Sequence, residues 1–234
     1  MKRLSVIVPT YNFANYIEQS LISIFNQKVN FDFDVIVRDD CSTDDTKYIL
    51  NRLQRYYDNL IVLSSTENVG GNQNVKLLLD QCRYEYIMYL DGDDYLVNPD
   101  KLQLHIDFLD NYPKCSMVSS GYTTISNDGY KPKNSEIWLH PMVDVVTTDD
   151  IRQSNCVGFG RVFRNVPNLF KDWMLDSDYL DWMLNYEISK TGWIKNENWF
   201  GGVYRQHSSG VFTSKTESER NQSQLKTLQI INRH

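Results

Sequence analysis

Tyr86-Ile-Met-Tyr-Leu90 runs straight into Asp91-Gly-Asp-Asp94: five apolar or aromatic residues, then four of which three are acids. So short an apolar run reads as a strand buried on both faces, and its abrupt polar end as a loop at the strand's carboxyl tip. The same event occurs twice upstream. Leu4-Ser-Val-Ile-Val8 stops at Pro9-Thr-Tyr-Asn12, and Val35-Ile-Val37 stops at Asp39-Asp40. Leu60 to Leu63 adds a further strand. Between these runs lie helical periodicities. Ile17, Leu21, Ile24 and Phe25 share one face, with Asn15 as the expected cap and Glu18 reaching back. Ile49, Leu53 and Tyr56 follow the capping residues Ser42 to Thr46, and Leu77, Leu78 and Leu79 follow the turn Asn68 to Asn72. Strand then helix, repeated, implies a parallel sheet with right-handed crossovers.

Outward from that core, Asn98 and Pro99 start a helix lined by Leu102, Ile106 and Leu109. A strand is expected at 116–125 and a polar, turn-rich stretch at 127–135. The later residues are less regular: a short helix at 148–155, a strand at 157–163, a helix at 178–190 stopped by Gly192, a strand at 199–205, and a polar helix at 215–231 striped by Leu225, Leu228 and Ile231. Linker-like composition and internal repeats are absent, so 1–234 is expected to be one domain.

The chain has 234 residues and a formal net charge of −6, which argues against nonspecific nucleic-acid binding. With 41% apolar and 23% charged residues it is neither disordered nor a disulfide scaffold. Cys41, Cys82, Cys115 and Cys156 are widely spread, without a CxxC pair or zinc spacing, so reduced thiols and a cytoplasmic setting are expected. The apolar run at Leu4 to Val8 is too short for a secretory signal, and no stretch approaches the ~20 residues of a membrane helix. A peripheral contact at the inner face of the cell membrane is compatible with this, since it needs only a patch.

Ligands of open parallel sheets gather at the carboxyl ends of strands. Pro9 to Asn12, Asp39-Asp40 and Asp91 to Asp94 all fall there. Carboxylates two apart, as in Asp91-x-Asp93, aim at one hard cation such as Mg²⁺ or Mn²⁺, held with substrate phosphates; the alternative is a polar turn before a capped helix. Asp39 and Asp40 either complement the dipole of the next helix or accept from a base N–H. Asp178 and Asp181 are spaced to share one helical face. A dinucleotide-binding G-x-G-x-x-G is missing after the first strand.

Leu4-Ser-Val-Ile-Val-Pro-Thr-Tyr-Asn12, Val37-Arg-Asp-Asp-Cys-Ser-Thr-Asp-Asp-Thr46 and Tyr89-Leu-Asp-Gly-Asp-Asp-Tyr-Leu96 together resemble the family 2 glycosyltransferases of the GT-A fold, of the bacterial polysaccharide and lipopolysaccharide type. The likeness is close over 1–110 and rests on two later features beyond. It implies an α/β fold, a mostly parallel sheet flanked by helices, with a nucleotide-sugar-binding half at 1–110 and an acceptor and catalytic-base half at 111–234. It implies that the base of a nucleoside diphosphate sugar, UDP first, is held by Thr10 and Asp40. Pro9, Tyr11, Asn12, Asp39, Asn68 and Gly70 complete that pocket. Asp91 and Gly92 would meet the ribose and diphosphate, and Asp93 a Mn²⁺ or Mg²⁺ ion, with Asp91 as a second ligand. Family members carry an acid on a helix ahead of a strand ending Tyr-Arg-x-His. Tyr204-Arg-Gln-His207 matches that end, which makes Asp181, before Trp182, the expected general base and Asp178 the alternative. His207 completes the metal shell in some relatives, and Arg205 is placed to neutralise diphosphate.

Two departures stand out. The glycine usual after the acid pair is Cys41, and the Ala-Arg-Asn common after Asn68-Val-Gly70 is replaced by Asn72, Gln73 and Asn74, with Lys76 the nearest cation. The implied reaction is an inverting, metal-dependent transfer of a hexosyl or N-acetylhexosaminyl group to a hydroxyl of a glycan or lipid-linked glycan, in cell-surface polysaccharide synthesis. Of Trp138, Trp173, Trp182, Trp193 and Trp199, most are expected in the core, with one or two free to stack on an acceptor sugar. His105 and His140 are expected to be structural or exposed. The competing readings are a noncatalytic sugar-nucleotide binder of the same fold and a sugar nucleotidyltransferase, although the first loop lacks the Gly, Arg and Lys residues that bind a triphosphate.

Overall fold

The computed structural model describes residues 2–126, 143–208, 210 and 213–234. The polar stretch expected at 127–135, together with Trp138 and His140, lies outside the described residues. Among the described residues, nine strands form one sheet. The first four, β1 (Lys2–Thr10), β2 (Asp32–Asp39), β3 (Leu60–Ser64) and β4 (Tyr86–Tyr89), pair in parallel in the order β3-β2-β1-β4. Then follow β5 (Tyr95–Leu96), β6 (Cys115–Ser126), β7 (Val145–Val146), β8 (Phe159–Arg164) and β9 (Trp193–Gln206). The sheet continues from β4 as β8-β6-β9-β5, with β7 on β9. β8 runs antiparallel to both β4 and β6, whereas β6 and β9 are parallel. The parallel arrangement thus holds through four strands and then becomes mixed. Strand direction leaves no mark on hydrophobic periodicity, so the sequence pattern does not show that change.

Successive residues of a strand face opposite sides, and β1 feeds both layers. Leu4, Val6 and Val8 pack with Ile17, Leu21 and Ile24 of α1 (Ile17–Phe25), Leu50 and Leu53 of α2 (Thr46–Leu53), and Leu102, Ile106 and Leu109 of α4 (Lys101–Asn111). Ile7 and Ile36 point the other way, onto Val75 and Leu78 of α3 (Gly71–Leu79), Ile151 of α5 (Thr148–Ile151), Met183 and Tyr186 of α6 (Leu180–Ser189), and Ile231 of α7 (Glu217–Ile231). Helices on both faces bury the β1–β2–β4 centre completely, as its continuous apolar runs require.

Some local expectations change. Asn15 does not cap α1: the N–H groups of Tyr16 and Ile17 go to the Phe13 carbonyl at 2.9 Å each, and Glu18 pairs with Arg52 at 2.5 Å. β9 starts at Trp193 rather than 199, and the two-residue strands β5 and β7 escape any pattern. α7 starts with a capping box in which Thr216 and Glu219 exchange bonds. No helix among the described residues is long and apolar enough to cross a membrane.

Candidate active site

The three strand-end segments meet at one edge. Thr10 pairs with Asp39 in the β1–β2 ladder, and the Asp40 N–H donates to the Thr10 carbonyl at 3.0 Å. Gly92 N–H donates to the Pro9 carbonyl at 3.2 Å, and a Cβ at Gly92 would stand 3.0 Å from that oxygen. The loop after β1 is laced to the loop after β2. Asn12 N–H donates to Ser42 Oγ at 2.8 Å, Ala14 N–H to Asp44 Oδ2 at 3.0 Å, and Thr43 N–H to Asn12 Oδ1 at 2.8 Å. Tyr11 stays exposed above this seam, and the Thr10 hydroxyl is buried without a partner.

The two acids at the tip of β2 are both buried. Asp39 accepts from the Ser42 backbone at 3.2 Å and from the Ser42 hydroxyl. Asp40 accepts from Arg38 Nη1 and the Val69 N–H at 3.0 Å each, and from the Gly70 N–H at 2.9 Å. It therefore ties the loop ahead of α3 to the sheet. Asn68 Oδ1 also accepts from the Gly70 N–H, at 3.1 Å. The residues standing in place of an arginine face elsewhere: Asn72 donates to the Ser177 carbonyl at 2.7 Å, Asn74 to the Arg38 carbonyl at 3.2 Å, and Lys76 pairs with Asp172 at 3.2 Å.

Each acid of Asp91-Gly-Asp-Asp94 has a distinct environment. Asp91 Oδ1 accepts from Tyr89 Oη at 2.6 Å. Burial, and then the negative charge of Asp93, push the Asp91 carboxyl up to about 7. Asp94 Oδ1 takes the Arg205 N–H at 2.8 Å, and burial holds its carboxyl well above the usual range. That bond pins the end of β9 to the turn after β4. His207, 1% exposed, follows the strand and lies 2.9 Å by Nε2 from Asp93 Oδ2, with the rings of Phe13 and Tyr16 beside it. Residues 114 apart in the chain are thus brought together.

Arg205 differs from expectation. Only 3% exposed, it donates to the Asp93 carbonyl and to Gln19, and its guanidinium lies 5.1 Å from the Tyr16 ring centre and 4.7 Å from that of Tyr95. It is a buried clamp on the turn.

Asp181 sits in the first turn of α6, its side chain 31% exposed. Its Oδ2 accepts from Asn155 Nδ2 at 2.7 Å and from Arg161 Nη2 at 2.9 Å. Asp181 and Arg161 both act electrostatically on Asp91 and Tyr89, which places the pair beside the turn after β4. Asp178 does not share that face. It precedes the helix, whose first residue is Leu180, and is bound by Lys215 Nζ at 2.6 Å and by the Ser223 hydroxyl, against α7. The Lys215 ammonium and that hydroxyl hold its carboxyl below the usual range. Asn155 and Arg161 lie outside every motif. The one sequence signal for Arg161 is a cation inside an otherwise apolar strand, Phe159-Gly-Arg-Val-Phe163.

Asp93 and His207 bring a carboxylate oxygen and an imidazole nitrogen within 2.9 Å of each other, and the buried Asp91 carboxyl precedes them on the same turn. A divalent cation fits that donor set. No three His, Cys, Asp or Glu side chains among the described residues converge as a full ligand set, so such a cation would need oxygens from its substrate. The four described tryptophans are packed: Trp173 stacks on His234, Trp182 donates to the Ile151 carbonyl at 2.8 Å, Trp193 meets Phe108, and Trp199 meets His105.

The profile described as Glycosyl transferase family 2 matches residues 5–168. The Mycobacterium tuberculosis protein Rv1520, itself uncharacterized, is 30% identical over 224 residues, 93% of this chain and 62% of its own length. The poly(ribitol-phosphate) beta-N-acetylglucosaminyltransferase TarS of Staphylococcus aureus is 34% identical over 113 residues, 48% of this chain and 20% of its own. The crystal structure of TarS 1-349 with UDP-GlcNAc aligns with a TM-score of 0.71 at 22% identity, covering 98% of this chain and 66% of that one. The mannosyltransferase PcManGT of Pyrobaculum calidifontis, solved with GDP-Man and Mn²⁺, aligns with a TM-score of 0.63 at 19% identity, covering 97% and 62%. At such identities the structural likeness shows a shared fold. The chain spans about three fifths of the curated relative that it matches along most of its own length.

Proposed function

The chain belongs to glycosyl transferase family 2, and from that premise we propose that it moves a sugar from a UDP-sugar to a hydroxyl of a glycan or glycolipid acceptor, with inversion at the anomeric carbon. One juxtaposition carries this reading. Asp181, with Oδ2 bonded and Oδ1 unbonded by any described residue, stands beside the Asp91 and Asp93 turn where a diphosphate and cation would lie. Residues 1–110 are the nucleotide-sugar half in this reading, and 111–234 the acceptor half.

The segments Pro9 to Asn12, Asp39-Asp40 and Asn68 to Gly70 form the base pocket, and Asp91 takes the ribose. Asp93 and His207 would hold Mn²⁺ or Mg²⁺, which when bound supplies charge to stabilise a departing diphosphate. Oδ1 of Asp181 accepts the proton of the acceptor hydroxyl as its oxygen bonds to the anomeric carbon. The bond from that carbon to the diphosphate breaks, and its electron pair stays on the phosphate oxygen. A retaining route needs a second, nucleophilic carboxylate near the sugar. Asp178, the other acid of this segment, is committed to Lys215 and Ser223. UDP is favoured by the UDP-GlcNAc bound to TarS, and a cell-surface glycan acceptor by the poly(ribitol-phosphate) in that relative's name.

A melting screen of UDP-, GDP-, CMP- and dTDP-sugars with Mn²⁺ tests the donor. UDP-sugars should give the largest rise, because a ligand that binds only the folded state stabilises it by mass action. A response to GDP-mannose alone would move the donor to GDP, and no response to any sugar nucleotide would remove the reading.

A further inference from the structure

The proposed base is held from one side. Asn155 and Arg161 both donate to Oδ2 of Asp181, at 2.7 and 2.9 Å, and no described residue bonds Oδ1. Asn155 is itself oriented, its Oδ1 accepting from Asn185 Nδ2 at 2.9 Å, one turn along α6 from Asp181. Arg161 is fixed by the sheet: the register Met88↔Val162 sets it beside Tyr89, whose hydroxyl bonds Asp91. Its Nε is buried without a partner among the described residues, so the guanidinium's bond to Asp181 is made through Nη2. Asp181 and Arg161 act together on Tyr89 and Asp91 at the end of β4 and on Tyr122 of β6, so the pair faces the turn after β4.

We infer that Arg161 is a positioning residue for the base, an assignment that rests on the reading of Asp181 given above. With Asn155 it pins Oδ2, so that Oδ1 faces the acceptor hydroxyl.

The test is kinetic. Release of UDP, with Mn²⁺ and whichever of UDP-glucose and UDP-N-acetylglucosamine turns over faster, supplies the readout. Arg161→Gln should lower kcat on the order of tenfold and hold donor KM within about twofold, and Arg161→Lys, which returns one donor to Oδ2, should recover part of that loss. Unchanged kcat in Arg161→Gln, or a donor KM that rises in step with the fall in kcat, overturns the inference and leaves the base assignment standing. Parental turnover in Asp181→Asn overturns the base assignment, and the inference with it. If Arg161→Gln does not fold, Arg161→Lys and Asn155→Ala take its place. Both should lose kcat at constant donor KM, and unchanged kcat in both overturns the inference.

Discussion

Asp178 and Asp181 differ by three positions in the chain and by their whole surroundings in the fold. Asp181→Asn should bind UDP-sugar almost normally and lose transfer about a hundredfold or more, the scale of removing a general base, as read by UDP release. Asp178→Asn should leave kcat intact. Its pair with Lys215 is partly exposed, so the loss is about 0–1 kcal/mol of stability in a urea titration. A second residue-level prediction concerns Cys41, which has a φ of +65°. A left-handed backbone costs a side-chain-bearing residue about 1–2 kcal/mol, and glycine gives part of that back as unfolded-state entropy. Cys41→Gly should therefore stabilise by about 0.5–1 kcal/mol, measured by urea denaturation, without altering nucleotide affinity. The glycine usual at this position has the same physical origin.

At the level of elements, α4 shows what periodicity reads and what it omits. Leu102, Ile106 and Leu109 form its apolar stripe and are buried, yet Lys101 and His105 are buried too. Lys101 Nζ bonds the Ser120 hydroxyl and the Phe159 carbonyl and lies 5.3 Å from the Trp199 ring centre. Burial pushes the Lys101 ammonium well below its ordinary range, and burial followed by the Lys101 charge pushes His105 down as well. The sign of the linkage follows. Below about pH 10.4 the unfolded lysine binds a proton that the folded one resists, so the folded state loses stability as pH falls from there. His105 adds a further loss below about pH 6.5 for the same reason. Lys101→Met should raise stability at pH 7 by about 1 kcal/mol, since it removes a buried cation that lacks a carboxylate partner. The gain should shrink toward zero by pH 10.4, as urea titrations at the two pH values would show. Hydrophobic spacing identifies which face of α4 is buried but not how far round the helix burial extends; that is set by Gly160 and Gly201, which let the backbone close over the lysine.

Across the whole molecule, the site joins the ends of separate strands. Asp93 follows β4 and His207 follows β9, and they meet because Asp94 and Arg205 tie those two strand ends together. In a calorimetric titration, UDP should bind at least about tenfold more weakly in EDTA than with Mn²⁺, because its diphosphate would otherwise meet Asp91 and Asp93 without a compensating charge. His207→Ala should reduce the Mn²⁺-dependent part and spare the rest. Equal affinity with and without the cation would rule out a metal bridge between Asp93 and the nucleotide.

The βαβ core, the order of its strands along the chain, and the three polar segments at the carboxyl ends of β1, β2 and β4 are legible in the residues alone. Those are local properties: two-sided burial writes a continuous apolar run, and a strand's end writes an abrupt change of polarity. Tertiary contacts alone make β8 antiparallel, bind Asp94 to Arg205, bond Asp178 to Lys215 and to Ser223 of α7, and set Arg161 and Asn155 on Asp181. Each of these is a pairing between segments 20 or more residues apart. Such a pairing depends on where two chain segments pass in space, and neither segment's composition or period carries that information.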